Sequence, residues 1–559
     1  MLITLLSWLV ILFMAFAVGS VFICFAAPDA FSETSRADVS VVMGLLVLNV
    51  YAQVYSIFAG VGKGAFCLAF AAAVLCIFFT CFYINKKRTG MRRAFGFGAG
   101  QMCMAAVAVL LTGLFTMKAP SHVDTYLYHA QTIRWIEEYG VVPGLGNLHN
   151  RFAYNSAFMP MQALFSFAWI LEEPLHSLNG FLCCFFVCYA LLTNRIFTGK
   201  SRLSDFLKLI IPLYVFLNRN HISSPGSDLS AMLLVLYINC KWSECMERKE
   251  KDIQSFGAVC LICAWAVTIK LSAAVCLLFV IYPAVILIRE KRRRTIVTDL
   301  VCGIVTAAPW LVRNVIISGY LLYPYAGIDL FGFDWKMPAS LLEYDRREII
   351  VWGREIKDVS RFEEPITQWF GTWFGSQMAR NKILILAGFA ATIILAAVML
   401  FKLSGIPGKR NRLQFFLKDA PEWLLVVTAV TSEIFWLFSA PLLRYGMVYL
   451  LMPAAVVLYL FREALGRERF RRWTVMGAAA AVCLIIVYKD EDFRAVMPHG
   501  YWRMDNTKQE WHSFEIYSPV EDSLSGYYDF PAVAREEVLD EIMPRGNKLE
   551  DGFAYGVEQ

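Results

Sequence analysis

Charge is scarce in this sequence. Only 18% of its 559 residues are Asp, Glu, Lys or Arg, against about 25% in an ordinary soluble domain. A soluble fold of this length needs a charged surface over its core, so a soluble enzyme and a nucleic-acid binder are excluded. A hydrophobic content of 58% excludes a disordered chain. Nucleotide-handling motifs are missing too: there is no P-loop, no G-x-G-x-x-G after a strand and no nucleophile elbow. The soluble α/β domain that a cytoplasmic nucleotide-sugar enzyme would normally need is also missing. The seven histidines form no H-E-x-x-H pair, which argues against a zinc site. Of the 15 cysteines, almost all sit in apolar runs, so no disulfide framework is expected. Cys260 and Cys263 form a C-x-x-C inside an expected span, without a second pair.

What the chain does have is long apolar runs. Residues 4–27, 64–84, 95–117 and 382–403 exceed the ~18 residues that suggest a membrane helix. The fold class expected is therefore an all-α polytopic membrane protein. Six connecting segments are rich in Lys and Arg: 85–93, 195–205, 241–252, 289–295, 402–422 and 462–473. Placing all six on the cytoplasmic side predicts about 14 spans, within a range of 13–15. These fall near 4–27, 41–61, 64–84, 95–117, 178–198, 206–219, 229–241, 254–270, 272–288, 296–318, 382–403, 423–441, 446–461 and 474–488, with both termini outside. The first apolar stretch has no basic n-region and reads as a retained helix. Residues 156–171 are apolar enough to insert, yet a full crossing would invert every later basic loop. They are expected to form an interfacial or re-entrant helix on the outer side.

This topology divides the chain into a transmembrane part, 1–488, and a C-terminal tail, 489–559. The part within the membrane carries two large outer loops, 118–155 and 319–381. The tail holds 16 acidic and 7 basic residues, a net charge opposite to most inner loops, and is rich in Trp and Tyr. A packed appendage is expected.

The densest polar cluster is 118–155, with three histidines (His122, His129, His149) beside Asp124, Arg134, Glu137, Glu138 and Arg151. Asp124, Tyr128 and His129 are spaced to edge one face of a short helix. Asp124 in the first turn suits the helix dipole and can simply cap a surface helix. At a membrane boundary the same carboxylate can deprotonate a hydroxyl or hold a divalent cation such as Mg or Mn. The sequence leaves these readings, and the metal itself, open. Lys270, Arg313, Glu433 and Arg444 sit in or at the ends of apolar runs. A charge in mid-bilayer costs at least ~2.5–3.5 kcal/mol, so such residues usually face a polar cavity or a partner. Lys270, Arg313 and Arg444 fall near the outer ends of their spans, where Arg forks and Lys ammonium groups bind phosphate well; snorkelling to headgroups is the alternative. Glu433 is expected to bond a neighbouring helix. In 319–381, residues 341–364 read as a charged lid helix, and 368–375 as an interfacial aromatic belt or a sugar-stacking platform. Asp334, Trp335 and Lys336 follow Tyr323-Pro324-Tyr325 and are expected to line the cleft.

The run Asp124 to His129 (D-T-Y-L-Y-H), in the first large outer loop of a many-span chain, resembles the acidic motif of GT-C glycosyltransferases. The turn 218–229 with Asp228, the stretch 309–325 running into 333–338, and 439–446 are similar to other parts of bacterial members of that superfamily. Many members carry adjacent acids in the first loop, whereas Thr125 follows Asp124 here. The resemblance implies a GT-C-like fold with outer-face juxtamembrane helices in a bacterial cytoplasmic membrane. It implies a polyprenyl-phosphate-linked sugar donor and a glycan, lipid or protein acceptor, with inversion at the anomeric carbon. Asp124 would be the base or would organise the acceptor, and Asp228 would support it or hold a cation. His129, Tyr128, Lys270, Arg313, Arg444 and Trp335 would bind substrate.

Two other readings remain. An O-antigen ligase or polymerase-like enzyme would depend on outer-loop Arg or His rather than Asp124. A transporter or flippase would use Lys270, Glu433 and Arg313 along a path across the membrane.

Overall fold

The computed structural model describes residues 1–26, 33–87, 97–171, 173–196, 201–248, 252–404, 419–462, 499–520 and 524–556. The described residues are mostly helical, with four short strands near the C-terminal end. Among the described residues nine helices are long and apolar enough to cross a membrane: Leu2–Ala26, Ala37–Phe58, Lys63–Phe82, Ala99–Thr116, Leu271–Arg289, Arg293–Ser318, Ala379–Lys402, Ala420–Ser439 and Leu443–Leu460. The protein is a multi-pass membrane protein.

Four further expected spans fall on helices that miss that measure: Leu178–Thr193, Leu203–Leu217, Ser227–Met246 and Ile253–Ile269. The last expected span, 474–488, lies outside the described residues. Ser227–Met246 misses on polarity rather than length, for it carries Asp228, Lys241 and Glu244. Every residue from Leu229 to Ser243 is buried. It is a central helix wrapped by others, so it needs no lipid-facing apolar stripe. Its charges are matched internally: Lys241 Nζ lies 2.6 Å from Asp38 and 2.8 Å from Glu244, and Lys208 lies 2.7 Å from Glu244. Two cations and two carboxylates cancel, as buried charge requires.

The crossing of Leu2–Ala26 with Glu33–Phe58 is unusually close. A methyl group placed on Gly19 would fall 1.8 Å from the Ser40 carbonyl oxygen, and one on Gly44 1.7 Å from that of Ala15. Ala15 and Gly19 on one helix, with Ser40 and Gly44 on the other, form two small-xxx-small pairs, which let membrane helices touch backbone to backbone.

Residues 156–171 are too short in helix to cross. Phe158–Leu164 has seven residues, all of them buried, and spans ~10 Å of an apolar core ~30 Å thick. The chain breaks at Phe167, whose φ is +54°, before the one-turn helix Ala168–Leu171. Gln162 donates to the Pro225 carbonyl and Ala157 N–H to that of Thr268, so protein encloses the irregular backbone.

The C-terminal residues fold as two antiparallel pairs, Asn506–Trp511 with Phe514–Pro519 and Ile542–Pro544 with Phe553–Tyr555. They share a core with the 118–155 segment: Trp135, Val142, Leu148 and Phe152 pack with Ile516, Val533, Leu539 and Phe553. The described tail residues, 499–520 and 524–556, are packed against the rest of the chain in a shared core.

Two expectations for 319–381 need correction. Trp369 and Trp373 of helix Ile366–Ser376 are buried, and the Trp373 indole donates to the Pro441 carbonyl; neither indole is an open stacking platform. The charged segment 341–364 is not one helix either: Ala339–Gly353 ends partway through it, and Val359–Arg361 is a separate single turn.

Candidate functional site

One cavity has a volume of about 870 Å³, within the ~300–1,000 Å³ usual for ligand sites. Asp124, Tyr128, His129, Asp228, Lys270 and Arg444 all line it. Helix ends bring them together. Asp124 immediately precedes the π-helical turn Thr125–His129, which runs into helix Ala130–Glu138. Asp228 lies in the first turn of Ser227–Met246, and Lys270 ends Ile253–Ile269 in extended backbone. Both signs agree with the helix dipole. Arg444 does not: it is a cation in the first turn of Leu443–Leu460, so carboxylates must hold it there.

They do so as a chain of alternating charge. Arg444 Nη2 donates to Asp124 Oδ2 at 3.0 Å, and Arg444 Nε lies 3.3 Å from Asp228 Oδ2. The other Asp228 oxygen pairs with Lys270, whose ammonium sits 3.6 Å above the centre of the Tyr445 ring. The Tyr445 hydroxyl accepts from Arg444 at 3.0 Å. One guanidinium thus bridges two carboxylates, the fork geometry that favours Arg over Lys. Burial pushes the Asp124 carboxyl up, but Arg444, His122 and His129 outweigh it and hold the group below its ordinary value of 3.8. The carboxylate is ionised at neutral pH.

Three histidines back this chain. His122 touches Arg444 through Nε2, its Nδ1 lies 3.7 Å from Asp124 Oδ2, and its ring packs 5.1 Å from that of His221. His129 is buried behind Tyr128, with ring centres 4.2 Å apart. Burial lowers all three, His129 and His221 to about 4, so they are neutral at pH 7. Gly226 leaves room for His129; a methyl group there would lie 2.9 Å from the imidazole.

Two expected site residues lie elsewhere. Arg313 is buried at 2% exposure, donating from Nε to Asn155 Oδ1 at 3.0 Å and from Nη1 to Ser56 Oγ. It pins helices behind the cavity wall and does not line it. Trp335 stacks on Phe333 at 4.3 Å under the Arg545 guanidinium, and Asp334 pairs with Arg545 at 2.7 Å. That loop turns toward the C-terminal strands, so Tyr323 and Pro324 line the cavity instead. Glu433 bonds a neighbouring helix as expected, accepting from Thr392 at 2.6 Å.

Sequence reasoning counted His122 in the polar cluster without giving it a role, and passed over His221 and Tyr445. Tyr445 had a signal in its place next to Arg444; the histidines had none, since a loop histidine is ordinary. Among the described residues no group of three or more His, Cys, Asp or Glu is arranged to hold a metal. Arg444 spans the facing oxygens of Asp124 and Asp228 and Lys270 takes the other Asp228 oxygen, an ion-pair set rather than a cation's ligand set.

The cavity joins a charged end to apolar walls that include Val267, Ile269, Leu271, Phe435 and Trp436. It can take an amphiphile with an anionic group against the two cations. Searches of curated proteins and of solved structures found no match. A family match covers residues 1–451, and so includes every charged residue of this site and leaves out the C-terminal strands. The chain belongs to the family described as "Domain of unknown function (DUF8201)".

Proposed function

We propose that the protein is a glycosyltransferase with a GT-C-like arrangement of about fourteen spans. It would work at the outer face of a bacterial cytoplasmic membrane and move a sugar from a polyprenyl-phosphate carrier to an acceptor hydroxyl. The observation that carries this reading is the Asp124–Arg444–Asp228–Lys270 chain at the head of a cavity with apolar walls. A donor phosphodiester brings a negative charge that competes with both carboxylates for Arg444 and Lys270. As Arg444 turns to the phosphate, Asp124 loses its partner and is free to accept the hydrogen bond of an acceptor hydroxyl. The hydroxyl oxygen attacks the anomeric carbon opposite the carrier, the carbon–oxygen bond to phosphate breaks, and the proton passes to Asp124. The configuration inverts. Charge growing on the leaving phosphate is met by fixed cations in a site shielded from water, and His129 and Tyr128 shape the pocket as neutral groups.

The test compares purified wild type with Asp124→Asn on a panel of polyprenyl-phosphate sugars plus membrane extract, with and without EDTA, following carrier phosphate release. Wild type is expected to release phosphate and a folded Asp124→Asn protein to lose at least about 100-fold. Equal release by both proteins removes Asp124 from the chemistry and favours a ligase-like enzyme. Release abolished by EDTA would make a cation part of the site.

A further inference from the structure

The same cavity has a second polar end that the charged chain does not use. Arg151, Tyr154, Tyr323, Glu348 and Trp352 line it. Arg151 Nη2 donates to Glu348 Oε2 at 3.3 Å. Behind the two tyrosines lies Asp345, fully buried, which accepts from Asn150 and from the Tyr154 hydroxyl at 3.0 Å each, both on one oxygen. Its other oxygen and the Tyr323 hydroxyl face each other without a hydrogen bond of good geometry. A row of rings connects the two ends: Tyr128 beside Asp124 packs edge-on to Tyr154 at 5.6 Å, and Tyr154 lies 5.8 Å from Tyr323.

The chemistry of this end differs from that of the first. Arg444 and Lys270 are two cations that an anion can draw off their carboxylates. Here one cation faces two carboxylates, so an arriving phosphate or carboxylate meets net repulsion. A hydroxyl meets the reverse: it can donate to Glu348 and accept from Arg151 at the same point, while the Tyr323 hydroxyl stays turned to Asp345. Trp352, 47% exposed, adds an apolar wall for a ring's C–H face. We propose that this end of the cavity, built by Arg151, Tyr154, Tyr323, Glu348 and Trp352, is the acceptor subsite and selects an uncharged, hydroxyl-rich sugar ring. The proposal rests on the glycosyl-transfer reading of the same cavity and adds the acceptor's class to it. Asp345 is a positioning residue that holds Tyr154 in the wall.

The experiment measures binding, so that it stands apart from turnover. The full-length protein in nanodiscs is titrated, by saturation-transfer NMR, with the methyl glycosides of glucose, galactose, mannose and N-acetylglucosamine. The methyl glycosides of glucuronic and galacturonic acid are the anionic counterparts. At least one neutral glycoside should bind, and its uronic counterpart about tenfold more weakly. Glu348→Gln and Arg151→Gln should each weaken binding about tenfold. Lys508→Ala, at an exposed pair on the C-terminal strands, should leave it within about twofold. Glu348→Gln keeps the size of the side chain and keeps the test open if Arg151→Gln fails to fold. Equal or tighter binding of a uronic acid, binding indifferent to both variants, or no binding of any of the four glycosides overturns the proposal. If the pattern holds while no donor loses its phosphate, the sugar site stands and the transfer reading fails. If donors lose phosphate but no glycoside binds, only the subsite fails.

Discussion

Arg444 stands where a helix N-terminus disfavours a cation, and two carboxylates keep it there. Its substitution by lysine keeps the charge but not the reach, because one ammonium cannot donate along both directions at once. Losing a charged hydrogen bond costs ~1.5–3 kcal/mol, so kcat/KM for carrier release should fall roughly 10- to 150-fold in Arg444→Lys. The pH profile follows from the same pair. Asp124 is held below its ordinary 3.8; a depressed carboxyl is ionised above that value and loses its charge only as pH falls through it. His122 is held below 6.5 by burial and gains a proton only on the acid side. Carrier release followed against pH should therefore be level from pH 6.5 upward and fall only in acid. A limb at neutral or alkaline pH would mean that some other group carries the proton.

Between elements, two contacts make measurable demands. Gly44 lies against the Ala15 carbonyl, and a leucine there must push the first two helices apart. Overpacking costs ~1–3 kcal/mol or more, so Gly44→Leu should lower the thermal unfolding midpoint in detergent, while Gly100→Leu, facing open space, should leave it nearly unchanged. The second contact joins the C-terminal strands to the helix that follows Asp124. Tyr527 OH donates to Glu137 at 2.6 Å, and Arg134 donates to the Tyr527 carbonyl at 2.9 Å. Burial raises the Glu137 carboxyl to about 7, against only partial opposition from its hydrogen bonds. A raised carboxyl favours the docked state while protonated. That contribution is full below the ordinary 4.5 and is lost as pH rises through about 7. The hydrogen-exchange protection of residues 524–556, corrected for the base-catalysed intrinsic rate, should accordingly be greater at pH 5 than at pH 8, and Glu137→Gln should remove the difference. An equal response in the variant would assign it to another group.

Across the whole molecule, what could be read from sequence follows the cost of misplacement. Lys270 and Arg444 were legible because charge beside apolar runs needs a reason, and the cavity supplies it; Asp228 was legible only through the resemblance of the turn 218–229. Arg313 gave the same signal, yet its partners are Asn155 and Ser56; an intramembrane charge announces that it is satisfied, not by what. The spans with lipid-facing sides were legible for the same cause, whereas Ser227–Met246 answers to its neighbours alone, and its polarity hid its central place. His122 and His221 cost nothing in a loop and so carried no sign of a role. The path of the chain after Pro324, which carries Trp335 away from the cavity, depends on contacts with residues more than two hundred positions later. No local pattern encodes that.

The central helix has one more consequence, and it concerns how the chain is made. Ser227–Met246 carries Asp228 near one end and Lys241 with Glu244 near the other. A segment with three charges partitions poorly into lipid by itself, at ~2.5–3.5 kcal/mol for each charge near the bilayer centre. The partners that neutralise it come from both sides in translation order: Asp38 and Lys208 before it, Lys270 and Arg444 after. Nascent chains stalled just past this helix should leave it poorly integrated and open to glycosylation reporters on the wrong side. Chains extended past Leu460 should hold it fast. Insertion of this one helix is then a property of the finished bundle, completed after the ribosome has moved on.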